Sequence, residues 1–162
     1  MRGPSLLRIV VGLVFSAVCC AQSKSEETKA VNVKKITPVL YVKEVEPSVD
    51  FWVKRFGFQK TVEVPEGNHL GFAIVQRGNV ELMYQSFASA EKDAPAVAKE
   101  ISGQRTFLYV EVDKLDDVIA ALKGINIVLP VRTTFYGAKE VGVKDPAGHM
   151  IVFAEIAAIP KH

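Results

Sequence analysis

Cysteine and histidine are scarce in this chain of 162 residues. The two cysteines, Cys19 and Cys20, both lie near the start, in a segment unlike the rest. The three histidines, His69, His149 and His162, share no His-x-His or His-x₃-His spacing. Beyond that first segment the sequence therefore excludes disulfides and thiol chemistry, and its histidines form no familiar metal-binding motif.

The chain also lacks an excess of charge of either sign. It has 20 basic and 18 acidic residues, a net charge of +2, and without Arg2 and Arg8 the two counts are equal at 18. A neutral domain has no electrostatic reason to bind nucleic acid or an anionic membrane. Its composition, 49% hydrophobic and 23% charged, excludes the disordered and collagen-like classes.

The first 21 residues have the pattern of a secretory signal peptide. Arg2 and Arg8 precede the apolar run IVVGLVFSAV, and the small residues CCA follow. The run is shorter than the ~20 apolar residues that span a bilayer. A buried N-terminal helix is the alternative, but the run shows no polar face. We predict a signal peptide at 1–21, cleavage after Ala21 and export to the periplasm or the medium; lipid attachment at Cys19 or Cys20 stays open.

Residues 22–34 are polar and aperiodic, which predicts a flexible tether, and residues 158–162 form a tail. Between them, the pattern of residues 35–157 predicts one domain of two modules. The first module, 35–86, begins with a strand candidate at Ile36–Val42 and a helix that Pro47 opens and Gly57 ends. The helix carries an apolar stripe that places Trp52 in the core. Three strand candidates follow: Gln59–Val64, His69–Gln76 and Asn79–Gln85.

The second module, 105–157, repeats this order. A strand at Thr106–Val112 precedes a helix with an apolar stripe of Leu115, Val118, Ile119 and Leu122. The last three strand candidates are Ile127–Arg132, Lys139–Val143 and Met150–Ile156. The linker, 87–104, is Ala-rich and predicts one short helix at Ala88–Ile101.

The order βαβββ therefore occurs twice, which predicts an α+β fold. Two such modules side by side would form a curved eight-stranded mixed sheet around a cup, with the helices outside. A ligand site is expected between the two repeats, where concave sites commonly lie.

Two segments carry a resemblance to a known family. ITPVLYVKEVEPSVDFWVKRFGF, residues 36–58, resembles the opening strand and helix of a vicinal-oxygen-chelate module. YGAKEVGVKDPAGHMIVFAE, residues 136–155, resembles the closing hairpin of the bleomycin-resistance-like members, with its Gly-x-x-Glu, Asp-Pro-x-Gly-His and Phe-Ala-Glu pieces. The resemblance to this glyoxalase/bleomycin-resistance/dihydroxybiphenyl-dioxygenase fold covers 35–157. It implies the paired-module cup and, in the resistance-protein branch, a homodimer.

The resemblance also implies four cup-facing positions at which family enzymes hold a divalent metal with His or Glu. Carried over to this chain, they are Thr37, Glu81, Phe107 and Val152. Glu81 alone is a good ligand, whereas a divalent metal normally needs three or more. We therefore expect neither a metal nor another cofactor.

Strand alternation extends these positions into a ligand-binding surface. Together with two residues of the closing hairpin, the expected set is Thr37, Tyr41, Glu81, Met83, Phe107, Tyr109, Tyr136, Glu140 and Val152. Two alternatives stay open: the aromatic residues could fill a closed core, and Glu81 could pair with a basic residue. His149, at a strand start after a turn, is expected at the surface.

These observations predict an exported, metal-independent protein that binds a small organic molecule in its cup. No nucleic acid and, after cleavage, no membrane is expected as a partner. The sequence offers no Ser/His/Asp set or Cys/His pair for covalent catalysis. The alternatives are a glyoxalase-like lyase or isomerase or a dioxygenase, a cofactor-free reaction with Glu81 as general base, and an interaction module whose cup is filled.

Overall fold

The structure, a computed structural model, describes residues 31–156. The predicted signal peptide, most of the predicted tether and the tail lie outside the described residues. Within them, the chain from Lys35 onward belongs to one compact unit. No helix in this described part is long and apolar enough to cross a membrane.

Module one forms a four-stranded sheet with one helix on it. Its elements are β1 (Val39–Val42), α1 (Val45–Phe56), β2 (Gln59–Glu66), β3 (His69–Arg77) and β4 (Val80–Ser86). The strand order is β1-β4-β3-β2, with β1 parallel to β4. The helix begins two residues before Pro47, the predicted start, and ends at Gly57, whose φ of 66° suits the left-handed position after a helix.

Module two repeats the same topology. Its elements are β5 (Phe107–Glu111), α4 (Leu115–Ala121), β6 (Ile127–Thr133), β7 (Lys139–Lys144) and β8 (Met150–Glu155). The strand order is β5-β8-β7-β6, with β5 parallel to β8. The α+β fold of two βαβββ modules is therefore confirmed. Its eight strands form two hydrogen-bonded sheets of four, rather than the continuous sheet expected.

The linker holds two helices where one was predicted: α2 (Phe87–Asp93) and α3 (Pro95–Ile101). The break lies at Ala94, whose φ of −142° and ψ of 75° are not helical. Because the proline ring sterically disfavours the helical conformation of the preceding residue, Pro95 ends α2 and begins α3. The prediction of a single helix was wrong.

The two modules share one hydrophobic core. Helix α1 contributes Trp52, which is 2% exposed, as the sequence predicted. Its indole Nε1 donates to the Tyr84 hydroxyl at 2.7 Å, so the buried polar ends of both side chains are satisfied. Phe56 stacks on Phe153 of β8 with ring centroids 4.9 Å apart. Ile119 differs from its predicted place in the α4 stripe, since it is 40% exposed.

Candidate functional site

Alternation along the strands gives each sheet a helix-covered face and an opposite face, which we call the open face. Leu40 and Tyr84 on β1 and β4 point under α1 and are fully buried. Their neighbours on the open face are partly exposed: Tyr41, Glu81 and Met83. In module two the open face carries Phe107, Tyr109, Glu140 and Val152, with Glu140 opposite Ala154 and Gly142 opposite Val152 in register.

Glu81 is held by residues that precede β1. The Lys35 ammonium lies 2.7 Å from Glu81 Oε1, and the Thr37 hydroxyl donates to the same oxygen at 3.2 Å. The hydrogen bond from Lys35 lowers the pKa of Glu81, with the Lys35 charge and the Thr37 hydroxyl acting in the same direction against desolvation. Of the two interpretations of Glu81, the structure favours the ion pair with a basic residue.

Three aromatic side chains on module two are exposed rather than packed into a closed core. Phe107 is 61% exposed, Tyr109 45% and Tyr136 54%. The two tyrosine hydroxyls lie 3.3 Å apart. This hydrogen bond is the main reason that the pKa of Tyr109 is raised to about 12.

Glu140 and Val152 lie deeper in the same module. Glu140 is 3% exposed and accepts a hydrogen bond from Arg132 Nε at 2.7 Å, in an ion pair. Val152 is 4% exposed and lies beside Gly142, where a Cβ atom would come within 3.4 Å of it. Val152 is the register partner of Tyr109, so it is a buried neighbour of the aromatic residues on the same face.

A cavity of about 570 Å³ lies at the junction of the modules, and we call it the Trp52 cavity. It brings together two residues of the predicted set, Glu81 from module one and Tyr109 from module two. Its other lining residues include Trp52, Phe56, Phe58, Arg77, Glu111 and Phe153. The sequence did not point to Trp52, Phe56, Phe58 or Phe153 as site residues, because apolar spacing predicts burial and gives no sign of a cavity beside them.

His149 is 2% exposed, so the expectation of a surface position was wrong. The turn after β7 folds back because Asp145 Oδ1 accepts the His149 backbone N–H at 2.8 Å. The imidazole is thereby inserted between the modules. Nδ1 accepts the Thr106 N–H at 3.0 Å, and Nε2 lies 3.2 Å from the carbonyl oxygen of Tyr41. With Nδ1 as an acceptor, Nε2 carries the proton and donates it.

The four positions that the resemblance implies for a metal do not fit one. Phe107 and Val152 have no donor atom, and Glu81 is engaged by the Thr37 hydroxyl and the Lys35 ammonium. Among residues 31–156, no three His, Cys, Asp or Glu side chains are grouped so that they could hold a metal ion. Divalent metals need such a group.

Comparison with solved structures gives many matches to this fold. A glyoxalase/bleomycin resistance protein/dioxygenase from Nocardioides is 22% identical, with a TM-score of 0.62 over 82% of this chain and 91% of its own. A lactoylglutathione lyase from Agrobacterium tumefaciens is 16% identical, with a TM-score of 0.62 over 76% and 95%. A bleomycin-binding protein, solved in complex with bleomycin, is 18% identical, with a TM-score of 0.54 over 77% and 100%.

No curated protein sequence matches the chain. The family model of the Glyoxalase/Bleomycin resistance protein/Dioxygenase superfamily does match, over residues 34–153, which is most of the chain. That range contains module one, module two as far as the middle of β8, the Trp52 cavity and all nine residues of the predicted set. The chain belongs to the glyoxalase/bleomycin resistance protein/dioxygenase superfamily.

Proposed function

We propose that this protein binds a small organic molecule, without a metal, in the Trp52 cavity between its two modules. The observation that carries the proposal is the cavity itself. Its volume, about 570 Å³, lies in the range of ~300–1,000 Å³ typical of small-molecule sites. Its lining is mainly apolar and aromatic with a few polar groups, as in such sites. A structural relative described as a bleomycin-binding protein is consistent with this class of function.

The charged groups of the cavity indicate the chemistry of the ligand. The Arg77 guanidinium donates a hydrogen bond to the backbone oxygen of Phe56, so part of its donor capacity is already used. Glu111 forms no ion pair with any residue in 31–156, and it lines the cavity together with Glu81. Because Lys35 already pairs with Glu81, Glu111 is the carboxylate left to meet a ligand, and beside apolar and aromatic side chains it favours a cationic or hydrogen-bond-donating group on an apolar body.

A matched series of benzylamine, benzyl alcohol and benzoate tests this preference by calorimetry. Benzylamine should bind most tightly. Tyr109→Ala should weaken its binding about two- to tenfold, the range for loss of one aromatic contact. Glu111→Gln should reduce the preference for benzylamine over benzyl alcohol.

Phe135→Ala serves as the matched control. Phe135 is an aromatic residue that is 101% exposed and does not line the cavity, so its removal should leave benzylamine binding unchanged. Equal losses of benzylamine binding in the Tyr109 and Phe135 variants, or a Tyr109→Ala variant that weakens benzoate binding but not benzylamine binding, would contradict the proposal.

The alternative function is metal-dependent catalysis, as a lyase, an isomerase or a dioxygenase. The donor set argues against it, because Phe107 and Val152 cannot ligate. The cofactor-free alternative uses Glu81 as a general base. A carboxylate whose pKa is lowered by Lys35 is a weaker base than an ordinary glutamate, so this role has little support.

Export and self-association complete the proposal. Cleavage after Ala21 predicts that N-terminal sequencing of the protein from its native host begins at Gln22; soluble cytoplasmic protein that retains Met1 would contradict export. A homodimer is in keeping with the exposed aromatic side chains of Phe107 and Tyr136. Sedimentation equilibrium should therefore give twice the mass of the chain, and a monomer would contradict this part.

A further inference from the structure

A second cavity, of about 460 Å³, lies at the other end of the module junction. Module one lines it with residues 41–44, Pro47 and Phe87, and module two with residues 103–105, Pro146, Ala147 and His149. We call it the Lys43 cavity. The Trp52 cavity is lined by the segments of module one that precede β1 and β4. The Lys43 cavity is lined by the corresponding segments of module two, which precede β5 and β8. The two cavities are therefore equivalent places in the repeat.

Their charges are opposite. The Lys43 cavity is lined by two cations, Lys43 and Arg105, and by a single carboxylate, Glu44. Neither cation forms an ion pair with a residue in the part of the chain that the structure describes. The buried imidazole of His149 adds no acceptor, because Nδ1 is bonded to the Thr106 N–H and Nε2 donates to Tyr41.

The Arg105 guanidinium lies close to the backbone of module two at Gly148. Its Nη1 is 3.1 Å from the position that a Cβ atom would take at Gly148, which has a φ of 89°. The guanidinium therefore lies against Gly148, the one residue of this turn without a side chain, and it lines the cavity with Pro146 and Ala147. A guanidinium offers paired donors that match an oxyanion, and an ammonium adds a point charge.

We propose that the Lys43 cavity binds an oxyanion, a carboxylate or a phosphate monoester, carried on a small apolar body. Arg105 and Lys43 would hold the anion from the two modules. Tyr41, Phe87 and Pro47 supply the apolar surface for the rest of the molecule. The site is separate from the Trp52 cavity and would select ligands of the opposite charge.

Titration of the intact protein with benzoate and with phenyl phosphate, by calorimetry and amide NMR, tests this site. At least one anion should bind saturably and shift the amide signals of Gly103, Gln104 and Gly148. Lys43→Gln and Arg105→Gln should each weaken binding about two- to fivefold, the range for exposed charge pairs, and the double variant should weaken it further. Added salt should weaken it as well.

Lys139→Gln is the matched control, since Lys139 is exposed on β7 and lines neither cavity. It should leave anion binding unchanged, and the double variant should leave benzylamine binding unchanged. If benzoate binds more tightly, the site is specific for a carboxylate; if phenyl phosphate does, it is specific for a phosphate monoester. The proposal is overturned if neither anion binds saturably, or if the Lys43→Gln/Arg105→Gln variant binds both as well as the natural protein does.

Discussion

Glu81 is a carboxylate on a sheet face where an unpaired charge would be costly. Alternation along β4 predicted the face on which it lies, because side-chain direction in a strand is a local property. Its partner, Lys35, is distant in sequence and is the first residue of the predicted domain, directly after the polar tether. The sequence therefore left two interpretations of Glu81 open, and the contact with Lys35 distinguishes them.

Replacement Glu81→Gln should lower the melting temperature slightly at pH 7. The pKa of Glu81 is lower in the folded protein than its ordinary value of 4.5. Its contribution to stability is therefore present above that value and is lost as the pH falls through the folded pKa. Thermal melts from pH 7 to pH 3 should show the two proteins converging in acid.

A double-mutant cycle with Lys35→Gln serves as the control for this pair. The two substitutions together should cost less than the sum of each alone, because either one removes the same ion pair. Fully additive effects, or a difference between wild type and Glu81→Gln that persists at pH 3, would show that the ion pair does not stabilise the fold.

Asp145 is a buried acid whose two carboxylate oxygens have different surroundings. Oδ1 accepts the backbone N–H groups of Ala147 and His149, whereas Oδ2 is buried without a partner among the described residues. Burial raises the pKa of Asp145 above its ordinary 3.8, although these N–H groups act in the opposite direction. The Asp145 charge also raises the pKa of Tyr84 in module one, although burial of Tyr84 is the larger cause.

Replacement Asp145→Asn should stabilise the protein at pH 7, because the neutral amide avoids the cost of burying a charge. Asparagine keeps the acceptor for the turn and removes the charge. Because the folded state binds the Asp145 proton more tightly, wild-type stability falls as the pH rises through the window just above 3.8. Urea unfolding at pH 4 and pH 7 should give the variant its larger advantage at pH 7; a destabilised variant at pH 7 would contradict this account.

At the scale of elements, periodicity predicted most strands and both module helices, because apolar spacing is set by the geometry of each element. Periodicity failed where the structure depends on a single residue or on a contact with a distant part of the chain. Pro95 splits the linker into two helices through its effect on Ala94. His149 follows an ordinary turn in sequence, and its burial depends on Tyr41 and Thr106, which are far from it along the chain.

His149 connects the first strands of the two modules, so its replacement tests how they are held together. His149→Phe keeps an aromatic ring but leaves the Thr106 N–H and the Tyr41 carbonyl without these partners. Two partly buried polar groups that lose these partners should lower the free energy of unfolding by about 1–3 kcal/mol. Urea denaturation measures this loss, and hydrogen exchange at the Thr106 amide should accelerate. His69→Phe, at an exposed position, is the control and should change neither.

At the scale of the whole molecule, the repeat could be predicted from the sequence, whereas the relation between its two copies could not. Each module shows its own helix and strands through local spacing. The cavities arise where the modules meet, and they depend on side chains from both, such as Glu81 with Tyr109 and Lys43 with Arg105. The nine predicted residues consequently divide between the Trp52 cavity, the Lys43 cavity and the open faces.

Binding at the Trp52 cavity without a metal is the central claim, and Trp52 itself can report on it. It is the single tryptophan of the chain and it lines the cavity. Titration with benzylamine should therefore change its fluorescence saturably, with the same dissociation constant in EDTA as in added zinc or manganese. A response that appears only with added metal, or no saturable response under either condition, would contradict the account.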